Sequence, residues 1–145
     1  QLNDRSLGAA VKYAFDRNVV VVVAAGNIST GSACTQQNPT PSGADLTGWG
    51  AVTTIASPAW FSPYVLAVGA VDSTSGQPAG FSLHGPWLGV AAPGTDVVSL
   101  DNARGSSGLV DTQPAHDKSP SSSISGTSFA TPYVAGTVAL VRSRF

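Results

Sequence analysis

Ser128 closes the small-residue run Ser125-Gly126-Thr127, and Phe129-Ala130-Thr131-Pro132 carries on at once into a helical pattern. The start of a helix presents unpaired N–H groups and about half a positive charge. An oxyanion formed when the Ser128 hydroxyl attacks a carbonyl would be stabilised there, so the chemistry this run can carry is acyl transfer. Small neighbours also leave room for a substrate to approach closely. Serine is equally a preferred helix cap. On the residues alone, nucleophile and cap stand level.

A serine nucleophile needs a base, normally histidine, which is itself oriented by an acid. The chain holds two histidines. His84 lies in the turn Phe81-Ser82-Leu83-His84-Gly85-Pro86, and His116 in a loop with Pro114, Asp117, Lys118 and Pro120. Both read as surface or loop histidines. Neither follows Ser128, so a serine-first triad order is impossible within the chain. Asn27 is a second candidate for the chemistry. A side-chain amide at the carboxyl end of a buried strand can donate to an oxyanion, and losing such a donor costs about 3–4 kcal/mol of transition-state stabilisation. Asparagine after glycine is also a common turn residue. The sequence leaves both readings of Asn27 open.

The elements that must hold these residues follow from hydrophobic periodicity. Residues 4–17 place Leu7, Val11 and Ala14 on one helical face, widened by Ala10 and Phe15, with Asn3 or Asp4 as cap. Val19 to Val23 are five consecutive valines, continued by Ala24 and Ala25. A run that does not alternate predicts a parallel strand covered on both faces, ending at Gly26-Asn27, where ligands of α/β sheets bind. Residues 65–71 predict a second buried strand, and residues 88–94 and 97–100 shorter ones. Residues 28–53 and 102–123 read as polar loops, the first long enough to be functional or tied down. Residues 128–144 predict a helix whose apolar face includes Val134, Val138 and Val141. The first strong strand follows a helix with nothing before it, so part of the sheet is expected to lie elsewhere.

Composition bounds the class. The chain has 145 residues, 42% of them hydrophobic, enough for a real core in one domain. Only 10% are charged, against about 25% in an ordinary soluble domain, and this low-charge, small-residue balance suits a secreted hydrolase. A net charge of −1 with no basic cluster argues against nucleic acid and against an electrostatic membrane patch. No apolar run approaches the ~20 residues of a membrane span. There is no methionine, and the opening Gln1-Leu2-Asn3-Asp4 reads as the interior of a longer polypeptide. Cys34 is the single cysteine, so any disulfide it makes goes outside this chain. A free thiol in a polar loop is the alternative.

Taken together, Ala24-Ala25-Gly26-Asn27 and the later run from Ser125 to Gly136 resemble two motifs of the subtilisin-like serine proteases, in the family's order. Residues 65–72, Phe81-Ser82 with Gly85-Pro86, and Ala91-Ala92-Pro93-Gly94 match its pattern too, so the resemblance covers nearly the whole chain. Within the family the chain is most similar to the mycosins, proteases associated with mycobacterial type VII secretion. Leu7-Gly8-Ala9-Ala10-Val11, the Cys34 loop with Gln36-Gln37-Asn38-Pro39, Ser57-Pro58-Ala59-Trp60, Gly85-Pro86-Trp87 and the ending Val141-Arg142-Ser143-Arg144-Phe145 carry that likeness.

The resemblance implies a three-layer α/β/α fold on a mostly parallel sheet, with residues 1–145 forming the C-terminal portion of one peptidase domain. It implies Ser128 as nucleophile, and Asn27 as oxyanion donor beside the Ser128 N–H. Ala24, Ala25, Gly26 and Thr127 would bind substrate, the first three as a pocket wall against which an extended peptide could lie. The Ser57–Pro58 bond is expected to be cis. No cofactor is expected, and no clustered carboxylates force a metal site. The family's Asp-Ser/Thr-Gly and His-Gly-Thr motifs are absent from this sequence, so the chain alone is expected to be inactive. Its implied partners are a peptide or protein substrate, the upstream half of the domain and a type VII membrane complex in the cell envelope. Cys34 would then pair with an upstream cysteine in an oxidising compartment. Two rival readings remain: a non-catalytic stabilising component of that complex, and an unrelated hydrolase using His84 or His116 as base.

Overall fold

The computed structural model describes residues 4–29, 34–40, 43–101, 108–113 and 122–145. Helix α1 spans Arg5–Asp16, and the Asp4 carboxylate caps it by accepting from the Leu7 N–H at 2.9 Å. It stops at Asn18, which takes φ 59°. Asparagine tolerates this left-handed conformation better than other residues with a Cβ. Val11 is the buried residue of the predicted face, while Phe15 stacks edge-on against Tyr64 at 5.6 Å.

Three parallel strands make the main sheet: β1 (Val22–Ala24), β2 (Leu66–Val71) and β3 (Leu88–Pro93), in the order β1-β2-β3. Val22 pairs with Leu66, Ala24 with Val68, and Val71 with Pro93. The central strand β2 feeds both faces in strict alternation. Val68 and Ala70 pack with Ala92 and Ala130 on one side, while Ala67 packs with Ala59, Leu83 and Trp87 on the other. Full burial of Val68 and Leu83 contributes about 1.5–3 kcal/mol each.

The valine run departs from expectation. Only Val22–Ala24 is strand, and Val19 and Val20 are 53% and 42% exposed. Within β1 both faces are covered, Val22 packing with the Val68 cluster and Val23 with the Leu83 cluster, while among the described residues β1 has β2 on one edge and no strand on the other. Helix α2 (Thr127–Arg144) packs across all three strands. Val134 and Val138 are half-buried as expected, but Val141 is exposed, as is neighbouring Leu140. Apolar residues lie on every side of α2, and one sheet can cover only one side.

Short antiparallel ladders follow, the first beginning within the strand expected at residues 97–100. Strand β4 (Ser99–Leu100) pairs with β5 (Leu109–Val110), and β6 (Thr112–Gln113) with β7 (Ser122–Ser123). The segment read as loop at 102–123 therefore carries strand at its described positions. The Ser57–Pro58 bond is cis, as is Ser62–Pro63. No helix among the described residues is long and apolar enough to cross a membrane.

The long loop after Asn27 is tied down by two side-chain amides. Asn38 is buried; its Nδ2 donates to Thr54 O (2.8 Å) and His84 O (2.6 Å), and its Oδ1 accepts from the N–H groups of Thr53 (2.9 Å) and Thr54 (2.8 Å). Gln37 Nε2 donates to Ser82 O at 2.7 Å, and its Oε1 accepts from His84 N–H at 3.0 Å. This is how a strand would pair with residues 82–84.

Candidate active site

Gly26 and Gly126 bring the two candidate residues together. Gly26 has φ +105°, and a Cβ there would lie 2.8 Å from the Ala56 methyl. This turn ends β1's direction and carries Asn27 to the surface, where its backbone bridges Ser82. Gly126 has φ +156°, and a Cβ there would lie 3.2 Å from Asn27 Nδ2. A larger residue before α2 would therefore press on the Asn27 amide.

Thr127 sets the orientation of that amide. Its N–H donates to Asn27 Oδ1 at 3.0 Å and its hydroxyl donates to the same atom at 2.8 Å. The hydroxyl in turn accepts from the Gly26 N–H at 3.3 Å. A backbone N–H can only donate, so the atom facing it must be the amide oxygen. Nδ2 is left as the outward donor.

The helix start shows the same selectivity. The Gly126 N–H goes to Gly94 O at 2.8 Å, that of Thr127 to Asn27 and that of Phe129 to Gly126 O at 3.0 Å. The Ser128 N–H has no partner among the described residues. Gly126, not Ser128, occupies the cap position. Ser128 is the exposed second residue of α2, so the helix-cap reading falls. An open N–H beside an exposed hydroxyl, with the helix dipole behind both, is the arrangement an oxyanion needs.

The other site expectations are met unevenly. Thr127 is fully buried, so it has no surface to offer a substrate; its contacts serve Asn27 and Gly26 instead. Ala25 is likewise fully buried, leaving Ala24 and Gly26 as the exposed part of the proposed wall. His84 is exposed, and its backbone is held by Gln37 and Asn38. It lines a cavity of about 310 Å³ with Asn38, Asp45, Leu46 and Val52, a lining that includes neither Ser128 nor Asn27. His116 lies outside the described residues. Cys34 is half-buried, and its carbonyl accepts from the Ser29 N–H at 3.0 Å.

The perturbed carboxylates serve loops. Asp45 is held below its ordinary range first by the Thr47 hydroxyl, then by the Gly50 N–H. Asp72 is held down by the Ser75 N–H and hydroxyl. No group of three potential metal ligands occurs among the described residues. Sequence reasoning missed the positioning work of Thr127 and the Gln37–Asn38 pair. A hydroxyl serving an amide a hundred residues away leaves no periodic trace, and polar residues in a loop read as solvated.

The chain belongs to the subtilase family of peptidases, whose family pattern matches residues 2–145. It is 46% identical to mycosin-1 of Mycobacterium tuberculosis over 149 residues, covering 99% of this chain and 31% of that protein. The chain thus spans about a third of the length of the curated relatives it matches. Among solved structures it is similar to the MycP3 protease of the type VII (ESX-3) secretion system, with TM-score 0.87 and 45% identity over 100% of this chain and 39% of that one. It also matches a chain of an intact ESX-5 inner membrane complex, with TM-score 0.85 and 43% identity over 100% of this chain and 32% of that one.

Proposed function

We propose that this chain supplies the nucleophile and the oxyanion donors of a subtilisin-type serine endopeptidase associated with type VII secretion. One observation carries the reading: an exposed Ser128 hydroxyl stands beside its own open N–H, close to an Asn27 amide whose oxygen is already engaged. Ser128 Oγ attacks the carbonyl carbon of the scissile peptide bond while a histidine takes its proton. Negative charge gathers on the carbonyl oxygen, between Asn27 Nδ2 and the Ser128 N–H. The tetrahedral intermediate collapses, the amine leaves with the proton from histidine, and water then releases the acyl group from Ser128 by the same route. Ala24 and Gly26 form one wall for the residue preceding the scissile bond.

The base and acid come from the family's upstream motifs, which this sequence lacks. Residues 1–145 are accordingly the C-terminal portion of one peptidase domain and inactive by themselves, since loss of a triad member lowers turnover by several powers of ten. The surface supports this. A cleft of about 620 Å³ between α2 and the sheet is lined by Val20, Val90, Tyr133, Val138 and Val141, and among the described residues β1 has an open edge. The missing half of the domain covers both.

Likeness to chains within ESX-5 inner membrane complexes supports a place in the cell envelope against a type VII membrane complex. It also favours the second reading, a stabilising component of that complex. Cys34 then pairs with a cysteine outside residues 1–145. The deciding experiment is hydrolysis of a peptide library by the complete domain and by its Ser128→Ala variant. Activity lost in the variant supports the protease. Equal turnover in both contradicts it, and inactivity of both with intact complex assembly favours the stabilising role.

A further inference from the structure

Asn27 is held from two sides, and only one of them is the Thr127 contact. Its backbone neighbours are fixed by the segment 81–84. The Ile28 N–H donates to Phe81 O at 2.8 Å, and the Leu83 N–H donates to Gly26 O at 2.9 Å. That segment is short and irregular, so something must fix it in turn. From β2, the Ala70 N–H donates to the buried Ser82 Oγ at 3.0 Å. On its far edge no strand among the described residues continues the pairing. Gln37 supplies it with a side chain, bonded to Ser82 O and His84 N–H, and Asn38 adds the bond to His84 O.

We infer that Gln37 and Asn38 are positioning residues for the oxyanion donor, acting on Asn27 through residues 81–84. The proposal rests on the reading of Asn27 as that donor. The loop after Asn27 turns back and braces the strand-like segment against which Asn27 sits. Asn38 fastens this brace to Thr53 and Thr54 with all its amide atoms engaged. Both residues lie outside the catalytic constellation, and His84 O and His84 N–H are their targets rather than the imidazole. A donor displaced by a fraction of an ångström still binds substrate but no longer meets the oxyanion, so the effect falls on kcat and not on KM.

The test is a double-mutant cycle on the complete peptidase domain, following kcat and KM on a short peptide amide. Gln37 is half-buried, and although its Oε1 also accepts from the Asn38 N–H at 3.2 Å, the Asn38 side-chain bonds do not involve it, so Gln37→Ala is the primary variant. Expected is a fall in kcat of about ten-fold or more with KM changed by less than about two-fold. In an Asn27→Ala background the same substitution is expected to cost less than about two-fold. Gln37→Glu keeps the acceptor for His84 N–H and loses the donor to Ser82 O, so it should fall between. Equal costs in both backgrounds overturn the inference while leaving Asn27 as donor. An undiminished kcat in Asn27→Ala alone overturns the reading of Asn27 and the inference with it.

Discussion

The Thr127 hydroxyl donates to Asn27 Oδ1 at 2.8 Å while accepting from the Gly26 N–H at 3.3 Å, joining the start of α2 to the end of β1. One buried side chain thereby fixes two parts of the site that are a hundred residues apart in sequence. Threonine suits the place: its hydroxyl serves both bonds, and its methyl fills space in a position with no exposure.

Thr127→Val keeps the shape and removes the hydroxyl, leaving the Gly26 N–H without its partner. The expected cost in the complete domain is about 1–3 kcal/mol of folding stability, with kcat falling as the Asn27 amide loses one of its two anchors. Thr127→Ser should restore most of it. Steady-state kinetics on the three proteins checks this, and a Ser variant as slow as Val would contradict the role of the hydroxyl.

Asn27→Ala removes the proposed donor and should lower kcat by about 10²–10³-fold. Because Asn27 Oδ1 accepts from the N–H and hydroxyl of buried Thr127, the melting temperature should fall as well. Thermal denaturation alongside the kinetics separates the two effects.

Gly126→Ala would place a Cβ 3.2 Å from Asn27 Nδ2 at a backbone angle that disfavours a side chain. Expected is a fall in kcat larger than that from Gly76→Ala, where φ is +70° and nothing lies within 4 Å of the added carbon. Gly126 lies at φ 156° and ψ 156°, a nearly glycine-only region, so backbone strain there adds to the pressure on the amide.

Asp72 is lowered by bonds from Ser75 and Thr74 that exist only in the folded turn. A carboxylate whose folded pKa lies below its unfolded value of about 3.9 stabilises above that value, and the benefit is lost as pH falls through the folded pKa. Asp72→Asn should therefore lower stability at neutral pH and flatten the loss of stability below about pH 4. Urea unfolding across pH 2.5–7 (about that window) checks the sign.

The sequence was most legible where apolar residues recur at a fixed spacing. The capped helix α1, the buried β2 and the helix following Ser128 stand where periodicity puts them, because side chains recurring at 3.6 or 2 residues meet one neighbour. Ser128 and Asn27 were found by their places at a helix start and a strand end. The valine run misled over its own burial: Val19 and Val20 point where no described residue covers them. What stayed hidden was long-range and polar. Nothing local to Thr127 or Gln37 announces that each one's partners lie far along the chain, since hydrogen bonds that lock a loop have no period.

The most direct measurement of the central claim is mass spectrometry after exposure to a fluorophosphonate, which reacts only with an activated serine. Stoichiometric labelling of Ser128 is expected in the complete peptidase domain, and none at an ordinary rate in residues 1–145 alone. Labelling of the isolated chain as fast as the complete domain, or of another serine in its place, would contradict it.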